Sequence, residues 1–352
     1  MTTYTLFTDP HLGTRRAAHT TRDSSKRLTE ALYRQAKTIV DNHPSPLCLG
    51  DLFDRAFNDE ATLVQGYNIA GMCEFTIAGN HDETNREGSV PSLRALSQMG
   101  VPVIAAQCLG DPCFQEWADG IYVVPHHASQ ELFERALQGA ADHASEYHVG
   151  RPTVLMLHCN YDCAFAQEDD TLNLSAGMAQ ALLEQFDLIL LGHEHKPASH
   201  FDGRVVILGN THPTSFADIS NKYVYTLEIT DDAVSLEKEC IWSAAVQHTT
   251  VRFGDYDALA ALDTVLSAEF IDVIGTAGAE QAVEVAEFIQ AVWTSAPNAF
   301  AVRNSVHIGD ALGDVEINEA PKLVDLKTKI VDDLEGSDLQ ALYKELLQEV
   351  EA

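Results

Sequence analysis

The chain carries histidines and carboxylates where short apolar runs end, and such side chains can bind metal ions. Five polar segments each follow a run of strand length. Ligands of open α/β sheets bind beyond the carboxyl ends of the strands, so these segments are expected to line one crevice. They are Asp9-Pro-His11, Gly50-Asp51, Gly79-Asn80-His81-Asp82, His158 and Gly192-His193-Glu194-His195.

Seven side chains of these segments make a suitable ligand set for two divalent ions. Four imidazoles, two carboxylates and one amide offer nitrogen and hard oxygen donors, which suit Mn²⁺, Fe²⁺ or Zn²⁺. Seven ligands are too many for one tetrahedral ion but fit two ions, roughly 3.5–4 Å apart, that share a carboxylate. We expect Asp51 to be the shared ligand. The predicted metal ligands are Asp9, His11, Asp51, Asn80, His158, His193 and His195.

Spacing within two segments also favours metal binding. In extended backbone, residues two positions apart face the same side, so Asp9 is expected to act with His11, and His193 with His195. A glycine stands where the chain must leave a strand sharply and let the backbone approach an ion. These glycines are Gly50, Gly79 and Gly192.

Taken singly, each motif has an ordinary alternative. An Asp-x-His pair or a Gly-Asn-His-Asp segment arises by chance, and a lone histidine such as His158 is more often a packed residue than a ligand. Five segments in order, each after an apolar run, favour a metal site over coincidence.

Apolar runs alternate with helix-like stretches, which predicts an α/β fold. The predicted strands are Tyr4–Phe7, Pro46–Leu49, Phe75–Ala78, Val101–Ala105, Ile121–Val124, Val154–Leu157, Leu188–Leu191, Val205–Leu208 and Tyr223–Ile229. The first helix is expected to start with Asp23, Ser24 or Ser25 as its N-cap and to bury Leu28, Leu32, Ile39 and Val40. Further helices are predicted over Thr62–Ala70, Ser92–Met99, Gln130–Ala141 and Ala176–Gln185.

The pattern changes after about Ala245. A short β segment at Thr249–Phe253 is followed by helical stretches rich in Ala, Glu and Asp, and then by an amphipathic run from Asp325 to Val350. We therefore predict two domains. Residues 1–245 would carry the metal site, and residues 246–352 would form a smaller, acidic α+β appendage that caps it or binds a partner.

Composition is that of a globular protein, with 45% hydrophobic and 21% charged residues in 352. A charged leader and a long apolar run are both lacking, so we expect a cytoplasmic protein without a membrane segment. The net charge of −31 is unusual for a protein that binds polyanions. The acidic residues are unevenly distributed, because residues 1–40 carry a net charge of +4 and residues 250–352 a net charge of −14.

The five segments in this order resemble the signature of the calcineurin-like metallophosphoesterases, which is D-x-H, G-D, G-N-H-[DE], H and G-H-x-H. The resemblance implies a two-sheet β sandwich flanked by helices, in four layers, with a binuclear centre at one end. One ion would be held by Asp9, His11, His195 and the bridging Asp51. The other would be held by Asn80, His158, His193 and the same Asp51.

The resemblance also implies roles for the two residues after Asn80. His81 would protonate or stabilise the departing alkoxide, with Asp82 as its orienting partner. The ions would lower the pKa of bound water and offset charge on the phosphoryl oxygens. The protein phosphatase branch fits less well, because it carries a glycine after Asp-Arg, where this chain has Ala56, and a glutamate at position 82.

Within the family, three stretches resemble the SbcD-type nuclease subunits of bacteria and phages, over about residues 1–230. They are Asp9–Gly13, Gly50–Asp54 and Gly209–Asp218. This likeness implies a DNA exonuclease or endonuclease acting in repair, recombination or replication. Mn²⁺ is the expected metal, with Mg²⁺, Fe²⁺ and Zn²⁺ as alternatives. Archaeal and eukaryotic relatives carry histidine at the position of Asp54, so that position has no role that can be carried over.

Partners and substrate contacts follow from the same likeness. No Gly-x-x-x-x-Gly-Lys-[Ser/Thr] motif occurs, so an SbcC-like SMC-type ATPase would have to act in trans, and a homodimer is a further expectation. Arg15 and Arg16 are candidates to hold DNA backbone phosphates, against the alternative of an ordinary helix surface. The alternative functions are a small-molecule or cyclic-nucleotide phosphodiesterase and a non-catalytic scaffold stabilised by metal.

Overall fold

The computed structural model describes residues 2–14, 18–84, 88–106, 111–148, 150–163, 171–254 and 262–309. Within them the strands are β1 (Thr2–Phe7), β2 (Pro46–Cys48), β3 (Phe75–Ile77), β4 (Val103–Ile104), β5 (Gln115–Ala118), β6 (Ile121–Val124), β7 (Val154–His158), β8 (Asn160–Tyr161), β9 (Asn173–Leu174), β10 (Leu188–Gly192), β11 (Ala198–His200), β12 (Val205–Ile207), β13 (Lys222–Ile229), β14 (Val234–Trp242), β15 (His248–Arg252), β16 (Phe270–Gly278) and β17 (Ala301–Gly309).

The α-helices in the same residues are α1 (Arg22–Asn42), α2 (Glu60–Ala70), α3 (Ser92–Gln98), α4 (Gln130–Tyr147), α5 (Ala176–Leu182), α6 (Ala244–Gln247), α7 (Leu262–Ser267) and α8 (Ala282–Ser295). None of these described helices combines the length and the apolar character that a membrane crossing requires.

Two six-stranded sheets form the body of the molecule. The first has the strand order β14-β13-β1-β2-β3-β4, and the second has the order β11-β12-β10-β7-β6-β5. Neighbours from β1 to β4 run parallel, as do β12, β10, β7 and β6, whereas antiparallel strands lie at the edges. All strands that precede the predicted ligands therefore belong to the parallel parts of the two sheets.

The two sheets pack face to face and are covered by helices on their outer sides. The core between the sheets includes Leu6, Leu47, Phe75, Val123, Met156 and Leu190. Outside the first sheet, a second core joins it to α1, α2 and α3 through residues such as Phe7, Ile39, Ile69 and Leu93. Outside the second sheet, α4 and α5 pack on it through Phe133, Leu137 and Leu182. These four layers confirm the predicted sandwich flanked by helices.

Helix α1 starts slightly before the predicted position. Its N-cap is Thr21, whose hydroxyl accepts from the Ser24 backbone N–H while the Ser24 hydroxyl accepts from Thr21 N–H. A cap at Thr21 is favoured over one at Asp23, Ser24 or Ser25, because this capping box satisfies two backbone N–H groups at once. The predicted buried residues Leu28, Leu32, Ile39 and Val40 are all buried.

A third sheet follows the sandwich and corrects one prediction. Strands β15, β16 and β17 pair in parallel, and residues from α8 join them in a separate apolar core. The sequence had predicted mainly helix after residue 253, which was wrong for β16 and β17. Strand β16 is buried along most of its length, so it lacks the alternating pattern of a half-exposed strand. The division at residue 245 stays a prediction, and the amphipathic run from Asp325 to Val350 lies outside the described residues.

Side chains also connect this third sheet to the sandwich. Leu28 and Leu32 of α1 pack in one cluster with Trp242, Phe270 and Phe300. The Trp242 indole N–H donates to Glu269 Oε2 at 2.6 Å. The third sheet therefore packs against the first half of α1, the helix that follows Asp9 and His11 in the chain.

Candidate metal centre

The five polar segments meet where the parallel strands of both sheets end. Asp9 and His11 follow β1, Asp51 follows β2 and Asn80 follows β3, all in the first sheet. His158 is the last residue of β7, and His193 directly follows β10, both in the second sheet. Because the two sheets are stacked, their strand ends bring the segments together between the layers. The structure thus brings together all seven predicted ligands.

The backbone around the ligands differs from the predicted extended form. Asp9, His11, Asp51 and His193 have positive φ angles of 54°, 45°, 48° and 90°. A non-glycine residue in this region costs of order 1–3 kcal/mol and persists where the surroundings impose it. Here, hydrogen bonds hold the turn, with Asp9 N–H donating to Gly50 O at 3.0 Å and His11 N–H to Asp51 O at 3.2 Å. The prediction that the pairs Asp9/His11 and His193/His195 lie in extended backbone was therefore wrong. The side chains of each pair nevertheless reach the same centre.

The first ligand cluster contains Asp9, His11 and His195, whose donor atoms lie within 4.8 Å of one another. The Nε2 atoms of His11 and His195 are 2.8 Å apart, and His11 Nε2 is 3.8 Å from Asp9 Oδ1. Asp9 Oδ2 accepts from the Thr8 hydroxyl and from the His193 N–H. Asp9 Oδ1 is buried without a hydrogen-bond partner among the described residues, which a cation between these donors would satisfy.

The second cluster lies beside the first and contains Asp51, Asn80, His158 and His193. Asn80 Oδ1 lies 2.9 Å from His193 Nδ1 and 3.3 Å from His158 Nε2. Asp51 Oδ2 lies 3.3 Å from His158 Nε2. The same oxygen is 4.0 Å from His11 Nε2 in the first cluster. Asp51 therefore faces both clusters, as a ligand shared by two ions must.

Outer hydrogen bonds orient two of the histidines. His158 Nδ1 lies 2.8 Å from Leu49 O, and since a carbonyl only accepts, this nitrogen carries the proton. His195 Nδ1 lies 3.2 Å from Asp218 Oδ2, a carboxylate that likewise prefers a protonated Nδ1. In both rings, Nε2 is then free to offer its lone pair to a metal ion, which is the usual arrangement of metal-binding histidines.

Burial and mutual charge shift the pKa values of the cluster in opposite directions. Burial opposes ionisation of Asp51, but His158 and His11 outweigh it and lower the pKa of that carboxyl. Burial also opposes protonation of His158, yet the Asp51 charge raises the pKa of His158 to about 9. Burial and the charge of His158 lower the pKa of His193 to about 3. Without a cation, the cluster therefore stores a proton on His158, which a metal ion has to displace.

Two glycines leave the space that these ligands occupy. A Cβ atom on Gly50, whose φ is 110°, would lie 2.1 Å from His158 Nδ1. A Cβ atom on Gly79 would lie 2.2 Å from Asp51 Oδ1 and 2.7 Å from His158 Nε2. Both positions exclude any side chain, because such distances are far shorter than van der Waals contact. The donor set, the unpaired Oδ1 of Asp9 and the space left by Gly50 and Gly79 fit two divalent cations.

The predicted acid and its partner have different surroundings. His81 lies beside the centre, with Nε2 4.0 Å from Asp51 Oδ2, Nδ1 2.9 Å from Asp54 O, and one third of its side chain exposed. Asp82 is fully buried and accepts the backbone N–H groups of Leu52, Phe53 and Gly79. The orienting role predicted for Asp82 is thus taken by the Asp54 carbonyl, and Asp82 instead ties the loop after β2 to the loop after β3. Arg15 and Arg16 lie outside the described residues.

Three further residues near the centre were missed. Asp218 accepts from His195 Nδ1, from Asn210 Nδ2 at 2.8 Å and from Thr214 N–H at 3.0 Å. Lys222 is buried and donates to His195 O at 2.9 Å and to Asp218 O at 2.7 Å. Burial lowers the pKa of this ammonium to about 8.

His126 is the third missed residue. It follows β6, the neighbour of β7, as Pro125-His126, so the strand-end rule applies to it as well. Burial and then the charge of His158 lower its pKa to about 4. The strand-end rule does not locate Asp218, which ends a short 3₁₀ helix, or Lys222, which begins β13.

Three comparisons relate the chain to known proteins. The family model for calcineurin-like phosphoesterases matches residues 2–197. A search among curated proteins returned no significant match. Solved structures that resemble the chain include a predicted phosphoesterase from Streptococcus pneumoniae, with 12% identity, 68% of this chain and 88% of that chain covered, and a TM-score of 0.29.

Two Vps29 structures are also similar. Vps29 from Entamoeba histolytica, solved with Zn²⁺, has 10% identity, covers 68% of this chain and 99% of its own, and has a TM-score of 0.31. Vps29 from Chaetomium thermophilum has 12% identity, covers 68% of this chain and 97% of its own, and has a TM-score of 0.27. The family match spans more than half of the chain and includes every predicted ligand. The chain therefore belongs to the calcineurin-like phosphoesterase family, and its clustered histidines and carboxylates suit a centre for two divalent metal ions.

Proposed function

We propose that the chain is a metal-dependent phosphodiesterase that cleaves DNA, as the resemblance to SbcD-type nuclease subunits implies. The observation that carries the proposal is the position of His81 beside Asp51. Asp51 Oδ2 faces both ligand clusters and lies 4.0 Å from His81 Nε2. His81, the proposed proton donor, thus stands beside the one carboxylate that two ions would share.

The residues of this chain would divide the reaction between them. When bound, two divalent ions would supply Lewis acidity and activate water. Their charge would outweigh that of Asp9 and Asp51, so the centre would attract a phosphodiester in spite of the acidic chain. His81 would donate its Nε2 proton to the departing oxygen. The Asp54 carbonyl, 2.9 Å from Nδ1, would hold the ring in place during this transfer.

Two features support DNA as the substrate. Asp218 ends the third stretch that resembles SbcD-type subunits, and its carboxylate contacts the predicted ligand His195 at 3.2 Å. Arg22 and Lys26 are exposed at the start of α1, where they line a cavity of about 570 Å³ together with Gly13. These basic side chains share the cavity with Gly13, two residues after the predicted ligand His11, and would hold DNA backbone phosphates there.

The test compares polymeric and small substrates. We expect Mn²⁺-dependent cleavage of at least one of plasmid, linear duplex and single-stranded DNA, falling steeply as NaCl is raised. Hydrolysis of a chromogenic diester by the same preparation should change little over the same range of salt. Diester hydrolysis without cleavage of any of the three DNA substrates would overturn the DNA assignment while leaving phosphodiesterase chemistry in place.

A small-molecule or cyclic-nucleotide phosphodiesterase is the second candidate. The net charge of −31 favours it, since a small substrate needs no extended basic surface. Salt-insensitive hydrolysis of cyclic nucleotides, at rates above those for DNA, would select this alternative.

An ATPase of the SbcC type is the proposed partner of the nuclease. It would act in trans and dock on the region after residue 310, and a homodimer is a further proposal. Leu326, Ile330 and Leu334 are spaced like one face of an amphipathic helix, which can lie in a groove of a partner. These residues lie outside the described part of the chain, so the sequence alone supports the assignment.

A further inference from the structure

A groove of about 440 Å³ opens on the flank of the sandwich, between the edge strands of its two sheets. Strands β11 and β12 contribute one wall, and β13 and β14 contribute the other. The lining of the groove includes Lys196, the residue that follows the predicted ligand His195. We call it the flank groove and define it by Lys196, Val206, Tyr223, Tyr225, Leu236 and Lys238.

Two tyrosines are among the residues that line the flank groove. Tyr225 is buried, and its hydroxyl donates to Leu208 O at 3.2 Å. Tyr223 is partly exposed, with its ring centroid 6.3 Å from that of Tyr225. The Lys238 ammonium stands 4.6 Å from the Tyr223 centroid. Because contacts of exposed lysines with rings are weak, this long side chain can leave the ring for a stronger anionic partner.

The charge of the residues that line the flank groove contrasts with that of the whole chain. The sequence has 53 acidic and 22 basic residues. Among the described residues that line the groove, two are lysines and none is Asp or Glu. Lys196 and Lys238 are both exposed. A cavity that joins two cations to aromatic rings is complementary to a ligand that joins phosphates to flat bases.

Resting on the proposed DNA substrate, we propose that the flank groove binds one unpaired nucleotide of a single strand that continues from the metal centre. The base stacks on Tyr223, and Lys196 and Lys238 contact the adjoining phosphates. Aromatic platforms combined with lysines bind single strands in this way without reading sequence. The volume lies within the roughly 300–1,000 Å³ of ligand cavities. A base that stacks on Tyr223 inside the groove cannot at the same time be paired in a duplex, so the proposed strand is single there.

Binding of a fluorescein-labelled oligothymidine to the full chain tests the proposal. Fluorescence anisotropy is measured with Ca²⁺ in place of Mn²⁺, over a series of salt concentrations. Tyr223→Leu should weaken binding by about 5- to 100-fold, and Tyr223→Phe, which keeps the ring, should restore it. Lys196→Ala and Lys238→Ala should each reduce the slope of log K against log salt by about 0.7. Lys37→Ala, on the outer side of α1, is the charge-matched control and should leave affinity and slope unchanged.

Thermal midpoints of all variants show whether each is folded. The proposal would be overturned if folded Tyr223→Leu protein bound the oligonucleotide with wild-type affinity and both lysine variants kept the wild-type salt slope. Failure of the wild-type chain to bind the oligonucleotide would overturn it as well. If binding follows the predicted pattern but no DNA is cleaved with Mn²⁺, the groove stands and the proposed nuclease activity fails.

Discussion

Replacing Gly79 with alanine tests the packing of the metal centre directly. The new Cβ would lie 2.2 Å from Asp51 Oδ1, 2.5 Å from Asp51 N and 2.7 Å from His158 Nε2. Gly79 cannot easily retreat, because its N–H donates to Asp82 Oδ2 at 3.1 Å. The backbone and side chain of Asp51 and the ring of His158 are therefore the groups that must move.

The expected loss follows from which ligands are displaced. Disturbing the group that positions one ligand costs about 10–100-fold in metal affinity or activity. Gly79→Ala disturbs two ligands, one of which is predicted to serve both ions, so the affinity for Mn²⁺ should fall by at least about 100-fold. Overpacking of the buried loop should also lower the free energy of unfolding by about 1–3 kcal/mol.

Calorimetric titration of Mn²⁺ into metal-free protein measures the effect. Gly177→Ala is the matched control, because a Cβ there meets no atom within 4 Å. This control should bind Mn²⁺ like the wild type, and its stability should change by no more than about 1 kcal/mol. Wild-type Mn²⁺ affinity in folded Gly79→Ala protein would refute the reasoning, since it would mean that Asp51 and His158 do not hold the ions.

Three other predictions follow from the same centre and from the C-terminal region. The pKa of His158 in the metal-free centre is about 9, so Mn²⁺ has to displace its proton below that pH. The Mn²⁺ affinity should therefore rise about tenfold from pH 7 to pH 8 under argon, and a constant affinity would contradict this proton displacement. His81→Ala should keep the bound metal and lose about 10²–10⁴ in turnover number, whereas near-normal turnover would remove His81 from the mechanism. Deleting the residues after Ala320 should leave diester hydrolysis intact and abolish ATP-stimulated cleavage by the chain reconstituted with the proposed ATPase partner. A truncated chain that still responds to ATP would disprove docking through this region.

Much of the centre was predictable, because a parallel strand fixes where the next residue must lie. The polar segments after β1, β2, β3, β7 and β10 needed no further information to be placed at one edge. The same rule would have found His126 after β6. The four-layer architecture followed from the alternation of strands and helices together with the family resemblance.

Other features depend on contacts that the local sequence does not encode. The left-handed backbone of Asp9 and Asp51 results from two loops that hydrogen-bond to each other across the sheet. Asp82 was predicted to orient His81, but its burial leaves it bonded to three backbone N–H groups. Asp218 reaches His195 from the end of a short 3₁₀ helix, where neither periodicity nor strand ends locate a side chain. Strand β17 was not predicted either, because Ala301-Val302 and then Arg303-Asn304-Ser305 interrupt any alternation of apolar and polar residues.

Metal analysis of the purified full chain tests the central claim, that Asp51 is a ligand shared by two ions. Plasma mass spectrometry after dialysis against Mn²⁺ and gel filtration counts the tightly bound ions per chain. The account predicts two ions in the wild type and fewer in folded Asp51→Ala protein than in His195→Ala protein, because His195 would serve only one ion. Two tightly held ions per chain in folded Asp51→Ala protein would contradict it.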